Sequence, residues 1–168
     1  MKFVIEDKNR LKETSNKFSE LPDSVKSYVS ETFVDRLNYL LSDLEECESP
    51  IEQLLFTSLY NRIDSAISFI TRTVVIVPQK VIQIEGKRYR ADIGISVQDL
   101  QGRSHHFVIE CDGHEFHEKT KEQVMRDRKR ERDMMSEGYV VIRFTGSEIV
   151  KNPDHCTTQI INIIVATI

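Results

Sequence analysis

From Asp23 to about Glu46, the residues Val25, Tyr28, Val29, Phe33, Leu37, Leu40, Leu41 and Leu44 recur at three- and four-residue steps. That is the period of a helix with one apolar face. Residues 1 to about 20 are polar and read as a loose arm. A second helix opens in "CESPIEQLLFTSLYNRI", where Ser49 can cap, Pro50 suits the first helical position and Glu52 stands three residues after the cap. The period then changes. "TRTVVIVPQKVIQIEGKRYRADIGISVQD" is rich in Val and Ile, with Gly86 as a turn, and reads as the strands of a hairpin or meander. "LQGRSHH" holds the next turn, His105 and His106 included, and "HFVIECDG" is another strand. Thr120 to about Glu137 reads as a charged helix that Gly138 stops. "YVVIRF" is a buried strand, "TGSEIVKNPDHC" a loop with a short helical turn, and "IINIIVATI" a last packed helix or strand. The order helix, three strands, helix, strand, helix predicts an α/β fold, a mixed central sheet flanked by helices. An N-terminal helical extension over 1–48 precedes the sheet-bearing domain over 49–168.

The chain of 168 residues is long enough for one substantial core, and 39% hydrophobic with 30% charged residues is a globular balance. A net charge of −4 supplies no broad basic field, which argues against a coating or chromatin-type binder but leaves an enzyme acting on nucleic acid open. Cys47, Cys111 and Cys156 are far apart and form no CxxC, so a reducing cytoplasm is expected rather than a disulfide framework. The first residues have no apolar stretch of signal-peptide kind, and "IINIIVATI" is too short to span a bilayer, so no membrane association is expected.

Candidate chemistry concentrates in "FVIECDGHEFHEKT", Phe107 to Thr120. Alternate strand residues share a face, so Glu110 and Asp112 point one way, about 6.6 Å apart, and Phe107, Ile109 and Cys111 the other, into apolar packing. On "YRADIGI", Tyr89, Ala91, Ile93 and Ile95 are expected to share one face, while Arg90 and Asp92 occupy alternate sides, with Asp92 set among apolar neighbours. If the two strands are antiparallel neighbours, Asp92 lies opposite Glu110 across about 4.8 Å. Carboxylates so crowded repel and lose hydration, and one protonates unless a cation holds them. Oxygen ligands are what Mg²⁺ prefers. The competing structural reading pairs Asp92 and Glu110 with Lys87, Arg88 or Arg90, but burying charge merely to pair it is rarely a net gain.

"SPIEQLL", "YRADIGI", "VIECDGHEFH", "RDRKRERDMMSEGY" and "VVIRFTGSEI", in this order over about Ser49 to Val150, resemble the PD-(D/E)xK phosphodiesterase superfamily, and most closely the branch around the very short patch repair endonucleases. The resemblance implies a restriction-endonuclease-like fold and Mg²⁺-dependent cleavage of DNA, with Mn²⁺ as the substitute ion. It implies the metal-bridging role for Asp92 and the first acidic role of the (D/E)xK pair for Glu110, with Asp92, Glu110 and Cys111 as the metal-holding set. Asp112 takes the place of the lysine, a departure, while "ECDGHEFH" fits the E-x-D-G-x-x-x-H pattern of the similar branch through His117. His117, Lys119 or the metal-bound water itself then inherits the lysine's work, and a His near neutral pKa suits proton removal.

Glu52 has two readings of equal weight: the family's first-helix glutamate, or half of a capping box. Cys111, His114 and His117, with His105 or His106, can be written as a zinc set, but the spacing matches no standard structural-zinc signature. Between His117 and Asp133 there are seven cations and five anions, mostly a solvated face. Gln123, Arg126 and Arg130 nevertheless share one side at helical spacing, and with Lys119 are the candidate phosphate contacts. The reading is a metal-dependent endodeoxyribonuclease, with residues Asp92, Glu110, Asp112, His117 and Glu52 at the reaction. A homodimer or a partner protein would join through the N-terminal helix. The alternatives are a catalytically silent nuclease-fold module that binds nucleic acid or protein, favoured by Asp112 at the lysine's place, and a zinc-stabilised regulatory protein.

Overall fold

The computed structural model describes residues 8–113 and 120–168. Its chain divides into two compact units, Met1–Tyr39 and Leu40–Ile168. In the first, α1 (Lys8–Ser19) corrects the expected loose arm. Few apolar residues mark this segment, but its Lys and Glu residues favour helix, and Lys17 pairs with Glu13 four residues back at 2.7 Å. Helix α2 (Asp23–Glu46) begins there with the bounds its periodicity predicts, and Val25, Tyr28, Phe33, Val34, Leu37 and Tyr39 on it are exposed.

The second unit carries the sheet. Helix α3 (Pro50–Ile67) starts as its sequence dictates: Ser49 is extended at φ −142° and its hydroxyl accepts from the Glu52 N–H. Strands β1 (Thr71–Ile84) and β2 (Lys87–Asp99) form an antiparallel hairpin closed by Glu85 and Gly86. Both have positive φ, 47° and 77°, as a two-residue hairpin turn matching the strand twist requires. β3 (Ser104–Asp112) pairs antiparallel with β2, and its start at Ser104 puts His105 and His106 in the strand rather than in the expected turn. Helix α4 (Lys121–Ser136) crosses over to β4 (Tyr139–Thr145), which lies parallel to β3. The short α5 (Gly146–Lys151) and α6 (Pro153–Thr167) follow, so the terminal apolar run is helix. The sheet is mixed, in the order β1-β2-β3-β4, flanked by helices: the architecture is the α/β one that the order of elements predicts.

Two apolar clusters clasp β3. Phe107 and Ile109 join Leu55, Phe56, Leu59 and Ile63 of α3 and Ile160 and Ile164 of α6. Val108, pointing the other way, joins Met134 of α4, Ile82, Ile84 and Ala91. Here the strand expectation needs correcting: Ile93 and Ile95 pack in the first cluster, but Tyr89 and Ala91 in the second. The alternation of β2 changes sides at Asp92. The cause lies on its neighbour, where the pairing passes from Pro78↔Ile93 to Lys80↔Ala91 and skips Gln79, which has φ 48°. A residue forced into that region interrupts the pleat and turns the strands. Two residues on, Gly94 lets the Lys80 side chain lie flat on β2, since a Cβ there would stand 2.6 Å from Lys80 Cβ and Cγ.

Among the described residues no helix is long and apolar enough to cross a membrane. The three cysteines are buried and free.

Candidate active site

β3 alternates Ile109 and Cys111, packed in the larger cluster, with Glu110 and Asp112. The β2–β3 pairing ends at Ile93↔Ile109, one residue short of Asp92 on β2 and of Glu110 on β3. The Cys111 N–H donates to Asp92 Oδ2 at 2.6 Å, tying β3 to β2 through the carboxylate just past their last backbone pair. On the other side, the parallel register pairs Glu110 with Arg143 and Asp112 with Thr145.

Each β3 carboxylate meets an arginine. Arg130 of α4 donates to Glu110 through Nη1 at 3.1 Å and Nη2 at 2.7 Å, and Nη2 also donates to the Arg90 carbonyl. Arg143 of β4 forks Asp112, Nε to Oδ2 at 2.9 Å and Nη2 to Oδ1 at 2.5 Å. Two-point guanidinium–carboxylate pairs of this kind combine charge with fixed geometry. Asp92 has no arginine partner among the described residues. Glu52, buried at 6% exposure, serves its capping box. Ser49 Oγ donates to it at 2.6 Å and the Glu48 N–H at 3.0 Å, but Gln79 Nε2 also donates, at 2.6 Å. The residue that breaks the β1 pleat is thus the one that reaches back to this glutamate.

The four carboxylates share one electrostatic field. Burial, first, raises Asp92 above the ordinary carboxylate range; the Cys111 N–H and Arg130 pull it back, while Glu52 and Asp112 push it further. Glu110, at 5% exposure, is pushed up to about 7, by burial first and then by Asp92, against the opposing pull of Arg130 and Arg143. Burial pushes the Cys111 thiol up as well, with Asp92, Glu52, Glu110 and Asp112 adding to it. A thiol so held stays protonated and packed in the core, so what Cys111 lends the site is its backbone.

The donor set is therefore all oxygen, crowded and short of positive charge, which is the chemistry Mg²⁺ or Mn²⁺ suits. The placement is different: among the described residues no group of three or more His, Cys, Asp and Glu side chains stands ready to hold a metal ion. A cation joining Asp92 to Glu110 would have to take the place Arg130 now fills.

The remaining expected residues divide. His117 and Lys119 lie outside the described residues, as does His114. Gln123 completes a capping box for α4: its Oε1 accepts from the Thr120 N–H at 2.7 Å and its N–H donates to Thr120 Oγ1 at 3.2 Å. Arg126 is exposed. Arg130, one turn on, is turned inward onto Glu110. His105 contacts Asp99 at 3.1 Å and His106 contacts Ser96 at 3.1 Å, roughly 17 Å or more along β3 from Cys111, so neither joins Cys111 in a zinc set.

Gln79 is the contact that sequence reasoning missed, while Arg143, expected in a local ion pair, finds its partner in Asp112. Nothing in "VPQKV" announces a left-handed glutamine. Arg143 becomes readable only once β4 is known to run parallel beside β3. The Thr120-x-x-Gln123 signature, by contrast, was there to be read as a helix start.

A helix-flanked mixed sheet with carboxylates gathered where the β2–β3 pairing stops is the build of the restriction-endonuclease-like class of proteins. A model of the REase_MTES_1575 family, a restriction-endonuclease-like family, matches residues 76–164, just over half of the chain, and the chain belongs to it. No curated protein and no solved structure matches the chain.

Proposed function

We propose that the protein is a divalent-metal-dependent endonuclease that hydrolyses phosphodiester bonds of DNA, with Asp92 and Glu110 holding Mg²⁺ or Mn²⁺. The observation that supports this reading is two buried carboxylates just past the last β2–β3 pair, Ile93↔Ile109: Asp92, raised by burial, and Glu110, pushed up to about 7 by burial and by Asp92. Two carboxylates so disposed gain from a shared dication more than either gains from solvent.

A divalent ion at this position would supply Lewis acidity to the scissile phosphate and make water a nucleophile at neutral pH. The chain's own contribution is orientation and charge. The Cys111 N–H fixes which way Asp92 faces, and Glu52, braced by Ser49 and Gln79, keeps a further carboxylate beside it. Asp112, held by Arg143, adds negative potential without its own freedom to move. His117 or Lys119 takes the proton work, and Arg126 faces the DNA backbone with Arg130. The E-x-D-G-x-x-x-H pattern supports kinship with the very short patch repair branch. A double-strand cut needs two such centres, and the exposed Tyr28, Phe33 and Leu37 of α2 favour a homodimer or a partner protein there.

The arginine clasps on Glu110 and Asp112 favour a second reading, a catalytically silent module that keeps the fold to bind nucleic acid or protein. Supercoiled plasmid incubated with Mg²⁺, with Mn²⁺ and with EDTA separates the two. Conversion to nicked or linear DNA in either metal, abolished by EDTA and by Asp92→Ala or Glu110→Ala, is expected. Intact plasmid in both metals would leave the silent module.

A further inference from the structure

Glu110 is the most enclosed carboxylate of the cluster, and Arg130 occupies both of its oxygens. Asp112 has its own arginine from β4, so Arg130 is committed to Glu110 and to the Arg90 carbonyl. On β2, Asp92 feels Glu52, Arg130 and Asp112, and among the described residues no guanidinium is bonded to it. The charges are thus unevenly answered: a single cation, borne on a helix side chain, stands where two facing carboxylates would share one. A dication entering between Asp92 and Glu110 would repel a guanidinium on the same carboxylate, and its +2 charge answers both acids more fully than the +1 of Arg130. Arg130 has somewhere to go. It is 24% exposed, on the same side of α4 as the exposed Arg126 one turn earlier.

We propose that Arg130 is a displaceable counterion, which holds Glu110 while the site lacks a cation and exchanges that carboxylate for a DNA phosphate when the cation binds. This rests on the metal-dependent reading above. It makes metal and DNA binding cooperate through one side chain: the ion that takes Glu110 frees the guanidinium that takes the phosphate, and by linkage the phosphate strengthens the ion in return. No Arg130–Glu110 contact then survives in the loaded site.

Calorimetric titration of Mg²⁺ into the full chain tests the first half, and the affinity for a short DNA duplex in Ca²⁺ and in EDTA tests the second. Arg130→Gln should bind Mg²⁺ about tenfold more tightly than wild type, the scale of ordinary site-to-site coupling. The gain in duplex affinity that Ca²⁺ brings to wild type should shrink severalfold in Arg130→Gln, since nothing remains to be handed over. Arg130→Lys, which keeps the charge without the fork, should fall between on both counts, and carries the same test should Arg130→Gln fold poorly. An arginine that only braces the fold would leave the Ca²⁺-dependent gain intact. That result, or an unchanged Mg²⁺ affinity, overturns the exchange and leaves the metal site standing. Mg²⁺ binding absent in wild type removes both, and its loss in Asp92→Asn ties the ion to this site.

Discussion

At the scale of single residues, the site is a problem of buried charge with incomplete compensation. Glu110 has a folded-state pKa raised from 4.5 to about 7, so between those values the native protein holds a proton that the unfolded chain has released. Stability contributed by that proton is present at low pH and is lost as pH rises through this window. Chemical denaturation in EDTA should therefore show stability falling from about pH 4.5 towards pH 7, and Glu110→Gln should flatten that slope; equal slopes in the two proteins would refute the assignment. Asp92, raised in the same direction, leads to a related expectation. Asp92→Asn should abolish Mg²⁺-dependent cleavage while leaving metal-free stability at neutral pH unchanged or increased, since the strain of a desolvated charge goes with it. These two acids were legible in the sequence because strand alternation singles them out beside apolar neighbours. The arginines on Glu110 and Asp112 were not, because Arg130 and Arg143 reach them from 20 and 31 residues away along the chain. Residue type and spacing do not reveal such a pairing.

At the scale of elements, the helices and strands followed from period and capping, and the misreadings have local causes. Gln123 fits a phosphate contact by helical spacing, but its side chain closes the capping box with Thr120. Gln123→Ala should accordingly cost about 1 kcal/mol of stability and leave DNA affinity alone. Arg126→Ala should do the reverse, with stability unchanged and the salt dependence of DNA binding reduced by about one unit of slope. Thermal unfolding and a salt titration of duplex binding distinguish these outcomes directly. β2 shows the limit of alternation as a guide: a two-residue period put Tyr89 through Ile95 on one side, and the backbone at Gln79 changed sides midway. Gly94 belongs to the same region. Gly94→Ala should destabilise by about 1–3 kcal/mol through overpacking against Lys80, and a variant as stable as wild type would show that the Lys80 stem yields easily.

At the scale of the molecule, the sheet, its two clusters and every described carboxylate of the site fall within Leu40–Ile168. A chain starting at Leu40 should therefore unfold cooperatively and bind Mg²⁺ as the full protein does, read by denaturation and calorimetry; a molten fragment would show that the first unit is needed for the core. The architecture was legible because alternating and helical periods occur in an order few folds share. The same order puts Asp92 within β2 and Glu110 near the end of β3. The state of the site did not follow from it, because neutralisation by Arg130 and Arg143 depends on layers that meet only after folding.

The central claim is that Asp92 and Glu110 gather one divalent cation. Anomalous diffraction from crystals soaked with Mn²⁺ tests it most directly. The account predicts a peak within about 2.0–2.3 Å of carboxylate oxygens from both residues, with Arg130 withdrawn from Glu110. A strand end without anomalous signal, with the Arg130–Glu110 pair still closed, would contradict it.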